Sequence, residues 1–207
     1  MHHAARQPLW RPGLLEGQVV AVAGRAAGAG RAAAAACGEA GAHVEQLGDE
    51  GHRVDLLDEP AVQSAVAAIA APEQSIDTVV MDAASVFTAQ EAPDQALSAA
   101  TTAAWVVARA AATRVMIDAP RGGKVMFLAP TPDAGRHAGA ARAALENLAR
   151  TLSIEWSRHR IRTTTIAPGS RTRPSDIASL VVYLGSPAGD YFSGCVFSLE
   201  GTAREPA

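Results

Sequence analysis

The stretch VVAVAGRAAGAG, residues 19–30, decides the fold. Val19 to Ala23 reads as a buried strand, Gly24 to Gly30 as a glycine-rich turn, and Arg31 to Ala40 as a helix ended by Gly41. Glycines in such a turn allow a tight reversal. They also let backbone N–H groups approach a pyrophosphate and let the helix pack close to the strand. Alone the motif is a modest signal, since glycine also simply closes β–α turns. Its context strengthens it, because a strand and a helix flank it in the right order.

Outward from this turn, apolar runs alternate with alanine-rich helical segments, the pattern of a parallel sheet covered on both faces. Strands are predicted at 43–47, 78–81, 124–128, 162–167 and 196–199. Helices are predicted at 59–71, opened by Asp58 and Pro60, and at 95–115, 138–157 and 175–184. Only a few residues, Gly48 to Arg53, link the second strand to the next candidate, whereas a parallel crossover needs a dozen or more. The third strand is therefore expected to be a short edge around 53–56 or missing, with no helix before it. The predicted class is α/β: a Rossmann-like, doubly wound parallel sheet in the order 3-2-1-4-5-6-7, in three α/β/α layers. One domain is expected over 14–201, with tails at 1–13 and 202–207.

Composition narrows the function classes. The chain has 207 residues, 48% hydrophobic and 19% charged, which suits one globular domain. A formal charge of -3 offers no basic field for nucleic acid, and Arg158, His159, Arg160 and Arg162 read as the solvated end of a helix. Cys37 and Cys195 are too few for a metal site or a disulfide framework, and both read as small core residues. Arg109 and Arg114 interrupt the most apolar helical stretch, so no membrane span is expected. The first residues carry no continuous apolar run of the signal-peptide kind, and a cytoplasmic protein is the expectation.

Taken together, the ordered motifs from Leu15 to Gly201 resemble the short-chain dehydrogenase/reductase family. Ala23-Gly24-x-x-x-Gly28-Ala29-Gly30 resembles that family's cofactor turn. Asp55-Leu56 stands where the family places an adenine-binding Asp-Val, and Met81-Asp82-Ala83-Ala84 where it has Asn-Asn-Ala-Gly. The helix Arg142 to Trp156 resembles the one carrying its Tyr-x-x-x-Lys pair, and Pro168-Gly169 its turn beside the nicotinamide. The resemblance implies an NAD(P) site built from Gly24, Gly28, Gly30, Asp55, Ala83, Pro168 and Gly169, here in vestigial form. It also implies that tyrosine donates a proton to a carbonyl, lysine lowers the tyrosine pKa, serine orients the carbonyl, and an asparagine supports a relay.

Against that pattern the catalytic set is gone. Ala138 takes the tyrosine place, Arg142 the lysine place, Ala129 or Pro130 the serine place and Thr101 the asparagine place. Arginine keeps a charge but presents a planar fork and gives up no proton. His137 and Thr131 are the available substitutes; both are expected to be ordinary loop residues, because a shift of one position turns a helical side chain by about 100°. Gly48 stands where a ribose-binding acid is common, and Asp49 is one residue late. Arg25 favours a 2′-phosphate, while Asp49 and Glu50 oppose it, so NAD and NADP stay open. The segment between Pro168-Gly169 and the helix near Ser175 is too short to cover a substrate.

The expectation is thus a catalytically inactive subunit with weak NAD(P) binding or none, and no metal. It would assemble with an active relative, such as a 3-oxoacyl or hydroxyacyl reductase, or with itself. The surfaces implied by the resemblance are helices 95–115 and 138–157, with Trp105, Leu145, Leu148 and Leu152 among their large side chains, and the 176–201 end. The alternatives are a divergent NAD(P)-dependent reductase and a dinucleotide-binding module without turnover.

Overall fold

In a computed structural model, residues 10–73 and 75–199 are described. Seven parallel strands run in the order β3-β2-β1-β4-β5-β6-β7, as the sequence pattern requires. They are β1 (Val19–Gly24), β2 (His43–Gly48), β3 (His52–Arg53), β4 (Thr78–Met81), β5 (Gly123–Leu128), β6 (Ile161–Ala167) and β7 (Cys195–Ser198). β1 shows why the sheet is doubly covered. Val19, Ala21 and Ala23 enter the core on one face, while Val20 and Val22 enter the core on the other.

The first face is covered by α2 (Glu59–Glu73), α4 (Pro93–Ala111) and α5 (Ala138–Glu155). The second is covered by α1 (Gly28–Glu39) and α6 (Pro174–Gly185), where Ala33, Ala34, Ala36 and Cys37 meet Ile177, Val181 and Leu184. Burial pushes the Cys37 thiol up to about 12, so it is an inert core group. Asp58 caps α2 through Ala61 N–H at 3.2 Å, as predicted.

β3 is the short edge strand expected, a two-residue pairing at 52–53, because the tight link through Gly51 (φ +64°) lets the chain touch β2 only there. Three departures from the sequence reading stand beside it. A short helix, α3 (Ala83–Thr88), follows β4 where only a strand end was expected; Asp82 caps it through Ser85 N–H. Cys195 is half-buried on the edge strand β7 and is not a core residue. α4 starts at Pro93 and runs into one wide π-helical turn over Ala112–Met116. Of the expected tails at 1–13 and 202–207, residues 1–9 and 202–207 lie outside the described residues.

A partly buried cation holds the amino-terminal edge of the sheet. The side chain of Lys124 is 12% exposed, and its Nζ donates to the Gly185 carbonyl at 2.8 Å and the Ser186 carbonyl at 2.5 Å. It also pairs with Asp190 at 2.9 Å. Lys124 therefore satisfies carbonyls that the end of α6 leaves open. Lys124→Met is expected to lower unfolding stability by about 2–3 kcal/mol, because those acceptors lose their donor. Urea denaturation reads this directly; an unchanged midpoint would refute the role.

Candidate functional site

In an open parallel sheet the ligand crevice lies outside the carboxyl ends of the strands. Here that end has two halves, on either side of the turn between β1 and α1.

On the β2 side, Gly24, Gly48, Asp55, Leu56 and Val86 line a cleft of about 260 Å³. The structure thus places Gly24 and Asp55 on the same cleft. Asp55 is exposed, and its Oδ1 accepts Leu57 N–H at 2.9 Å. Gly28 has φ +52° and open space beside it. Gly48 is another matter. Its φ is +132°, and a Cβ there would stand 2.3 Å from the Gly24 carbonyl oxygen. No ribose-binding acid fits at this position. Asp49, next in line, pairs with Arg25 at 3.0 Å, and the Arg53 Nε donates to its backbone carbonyl at 3.0 Å. The Arg25–Asp49 pair is more than half exposed, so it orients more than it stabilises.

Beneath the turn sits a residue whose weight the sequence reading missed. Asp82 is 1% exposed, directly after the apolar strand β4. Its Oδ2 accepts Gly30 N–H at 2.9 Å and its Oδ1 accepts Ser85 N–H at 3.1 Å. Burial pushes its carboxyl up to about 6, against the downward pull of the Ser85, Gly30 and Ala84 N–H groups. The available signal was an acid standing where the resembled motif has an amide. Ala83, beside it, is fully buried.

On the other half, beyond β4, lie the positions that the sequence reading matches to the family's catalytic set. Ala129 is 0% and Ala138 1% exposed, and both belong to the main apolar core. Pro130, Pro168 and Gly169 are buried. Arg142 Nη1 donates to the Pro130 carbonyl at 2.8 Å and the Pro168 carbonyl at 2.7 Å, tying the ends of β5 and β6 together. Thr101 gives its hydroxyl to its own helix, at Leu97 O (2.8 Å) and Ser98 O (3.1 Å). His137 sits just before α5 with φ 71°, its Nε2 2.9 Å from Asp94 Oδ1 but off-angle for a hydrogen bond. Thr131 engages Asp133, whose carboxyl that hydroxyl holds below the usual range. Among the described residues no group of three or more His, Cys, Asp or Glu is arranged to hold a metal, and no helix is long and apolar enough to cross a membrane.

No family model matches the chain. A peroxisomal 2,4-dienoyl-CoA reductase of Mus musculus is 33% identical over 93 residues, 31% of this chain and 32% of that protein. An uncharacterized oxidoreductase of Mycobacterium tuberculosis is 28% identical over 145 residues, 52% of this chain and 53% of its own length. The matched stretches thus span a third to about half of these curated relatives. Among solved structures, a citronellol catabolism dehydrogenase of Pseudomonas aeruginosa aligns with a TM-score of 0.78 at 26% identity, over 96% of this chain and 99% of that one. A hydroxysteroid dehydrogenase of Escherichia coli, at 19% identity, aligns with a TM-score of 0.76 over 91% of this chain and 98% of that one, a likeness of fold alone. The chain is thus similar in sequence to parts of proteins named as reductases or oxidoreductases, and in fold to solved dehydrogenases.

Proposed function

We propose that this chain is a catalytically inactive subunit that assembles with and supports an active short-chain dehydrogenase/reductase. One observation carries the reading: the tyrosine and serine positions are Ala138 and Ala129, methyl groups buried in the apolar core. Neither has a proton to move or a hydroxyl to orient a carbonyl. Arg142, in the lysine place, is committed to the Pro130 and Pro168 carbonyls. In this family NAD(P) supplies the hydride. The residues here fit it poorly: a ribose acid is sterically excluded at Gly48, and the positions matched to the family's tyrosine and serine hold buried alanines. Dinucleotide affinity is therefore weak or absent, and no hydride-transfer step is assigned to this chain.

The partner class follows from the resemblance, a 3-oxoacyl or hydroxyacyl reductase. Relatives named as 2,4-dienoyl-CoA reductases suit the same acyl chemistry. The contact surface is reassigned in detail. Leu145 and Leu152, expected to need a partner, are 0% and 3% exposed within the chain. Trp105 on α4 and Ile154 on α5 are instead 40% and 76% exposed, and these are the side chains a partner would cover.

Light scattering on the chain, alone and co-expressed with its nearest active paralogue, tests this. A stable complex is expected. Replacing the partner's catalytic tyrosine should abolish its turnover, Ala138→Tyr here should leave it unchanged, and Trp105→Glu with Ile154→Glu should dissociate it. A monomer or homodimer that ignores the paralogue would overturn the proposal.

A further inference from the structure

Amides at a helix N-terminus are a natural seat for a ligand's phosphate, yet this chain places an acid of its own there. Asp82 Oδ2 holds the Gly30 N–H. Ser85 Oγ accepts the Arg25 N–H at 3.0 Å and donates to the Asp82 carbonyl at 2.8 Å. Ala27 N–H returns to the Arg25 carbonyl at 2.7 Å. The Arg25, Ala27 and Gly30 amides are thus engaged inside the chain. The fit is close, since a Cβ at Gly30 would stand 2.6 Å from Asp82 Oδ2. Held by N–H groups on both oxygens, the carboxylate has no room to swing aside.

We propose that Asp82 is a specificity-determining residue, an anion built into the glycine turn that turns away phosphate-bearing ligands while ionised and admits them once protonated. The inference deepens the weak dinucleotide binding proposed above and rests on the glycine turn, by its resemblance to a cofactor turn, being the phosphate end of the cleft. Two negative charges a few ångströms apart with little water between them repel strongly, and the repulsion ends when one is neutralised. Mild acid suffices, because burial has already pushed the Asp82 carboxyl up to about 6. The charged groups around it are few. The turn carries Arg25, paired with Asp49, and α1 carries Arg31, paired with Glu50. β1 offers Ala23 and Gly24, and α3 offers Ala84 and Ser85. The groups that shift the Asp82 carboxyl are all neutral N–H and O–H donors.

Calorimetric binding of NAD+ to the full chain tests the proposal, because its bridging diphosphate keeps a constant charge across the range used. Affinity is expected to rise at least about tenfold from about pH 8 to about pH 5 in the wild type. In Asp82→Asn it should equal the wild type's acid value at both pH values. Charged groups elsewhere, such as His43 and His52 beside Glu45, are common to wild type and variant and cancel in the difference. Asp82→Ser, which keeps a short capping oxygen, is the second variant should the amide disturb the turn. Adenosine, which has no phosphate, is expected to gain nothing from acid or from either variant. A pH-independent affinity equal in wild type and variants would overturn the proposal, as would an equal gain for adenosine. NADH turnover by the wild type would instead sink the inactive-subunit reading and leave this one standing.

Discussion

Gly48→Asp is expected to unfold the protein rather than to supply it with a ribose-binding acid. The new Cβ would stand 2.3 Å from the Gly24 carbonyl oxygen, which is backbone and cannot rotate away. Gly48 and Gly24 are register partners at the ends of β2 and β1, so relief requires pulling two central strands apart. The φ of +132° adds strain for any L side chain. Together these exceed about 4 kcal/mol, a large share of the stability of a domain this size. Gly48→Ala should fail for the same reason. Chemical denaturation and circular dichroism decide it; a folded Gly48→Asp protein of near wild-type stability would refute the steric argument.

The second large effect is a dependence of stability on pH that runs opposite to ordinary acid denaturation. The Asp82 carboxyl is raised from 3.8 to about 6 in the folded state. Between those values the folded chain binds more protons than the unfolded chain. The contribution is therefore fully present below the unfolded value and is lost as pH rises through about 6. Its amplitude is on the order of 3 kcal/mol, from a shift of about two units at 1.36 kcal/mol each. Exposed acids add their own trends, so the informative quantity is the difference between wild type and Asp82→Asn. That difference should change across the window and flatten above it; parallel curves would contradict a buried, elevated Asp82.

Much of this architecture is legible in the residues themselves. The turn after β1, the parallel order and the loss of the helix before β3 follow from residues 19–30 and from the short Gly48–Arg53 link. α3 was missed although Asp82 and Ser85 spell a helix cap, because the segment also reads as the end of a strand and the helix is only six residues long. At the site, the identities of Ala138 and Arg142 are what lead the sequence reading to propose an inactive subunit. What Arg142 does instead was hidden, because its acceptors are the Pro130 and Pro168 carbonyls, which no side-chain pattern reveals. The same limit applies to Leu145 against Ile154. Both are large apolar residues on α5, and only the direction in which the helix packs tells the buried one from the exposed one.

The most direct test of the account is the rate at which the isolated chain oxidises NADH or NADPH with a panel of ketone and acyl-thioester substrates. The account predicts no rate above that of buffer at any pH at which the chain stays folded. Turnover that tracks the purified chain and is abolished by His137→Ala or Thr131→Ala would contradict it, by showing that the buried Ala138 and Ala129 had been replaced by a working site.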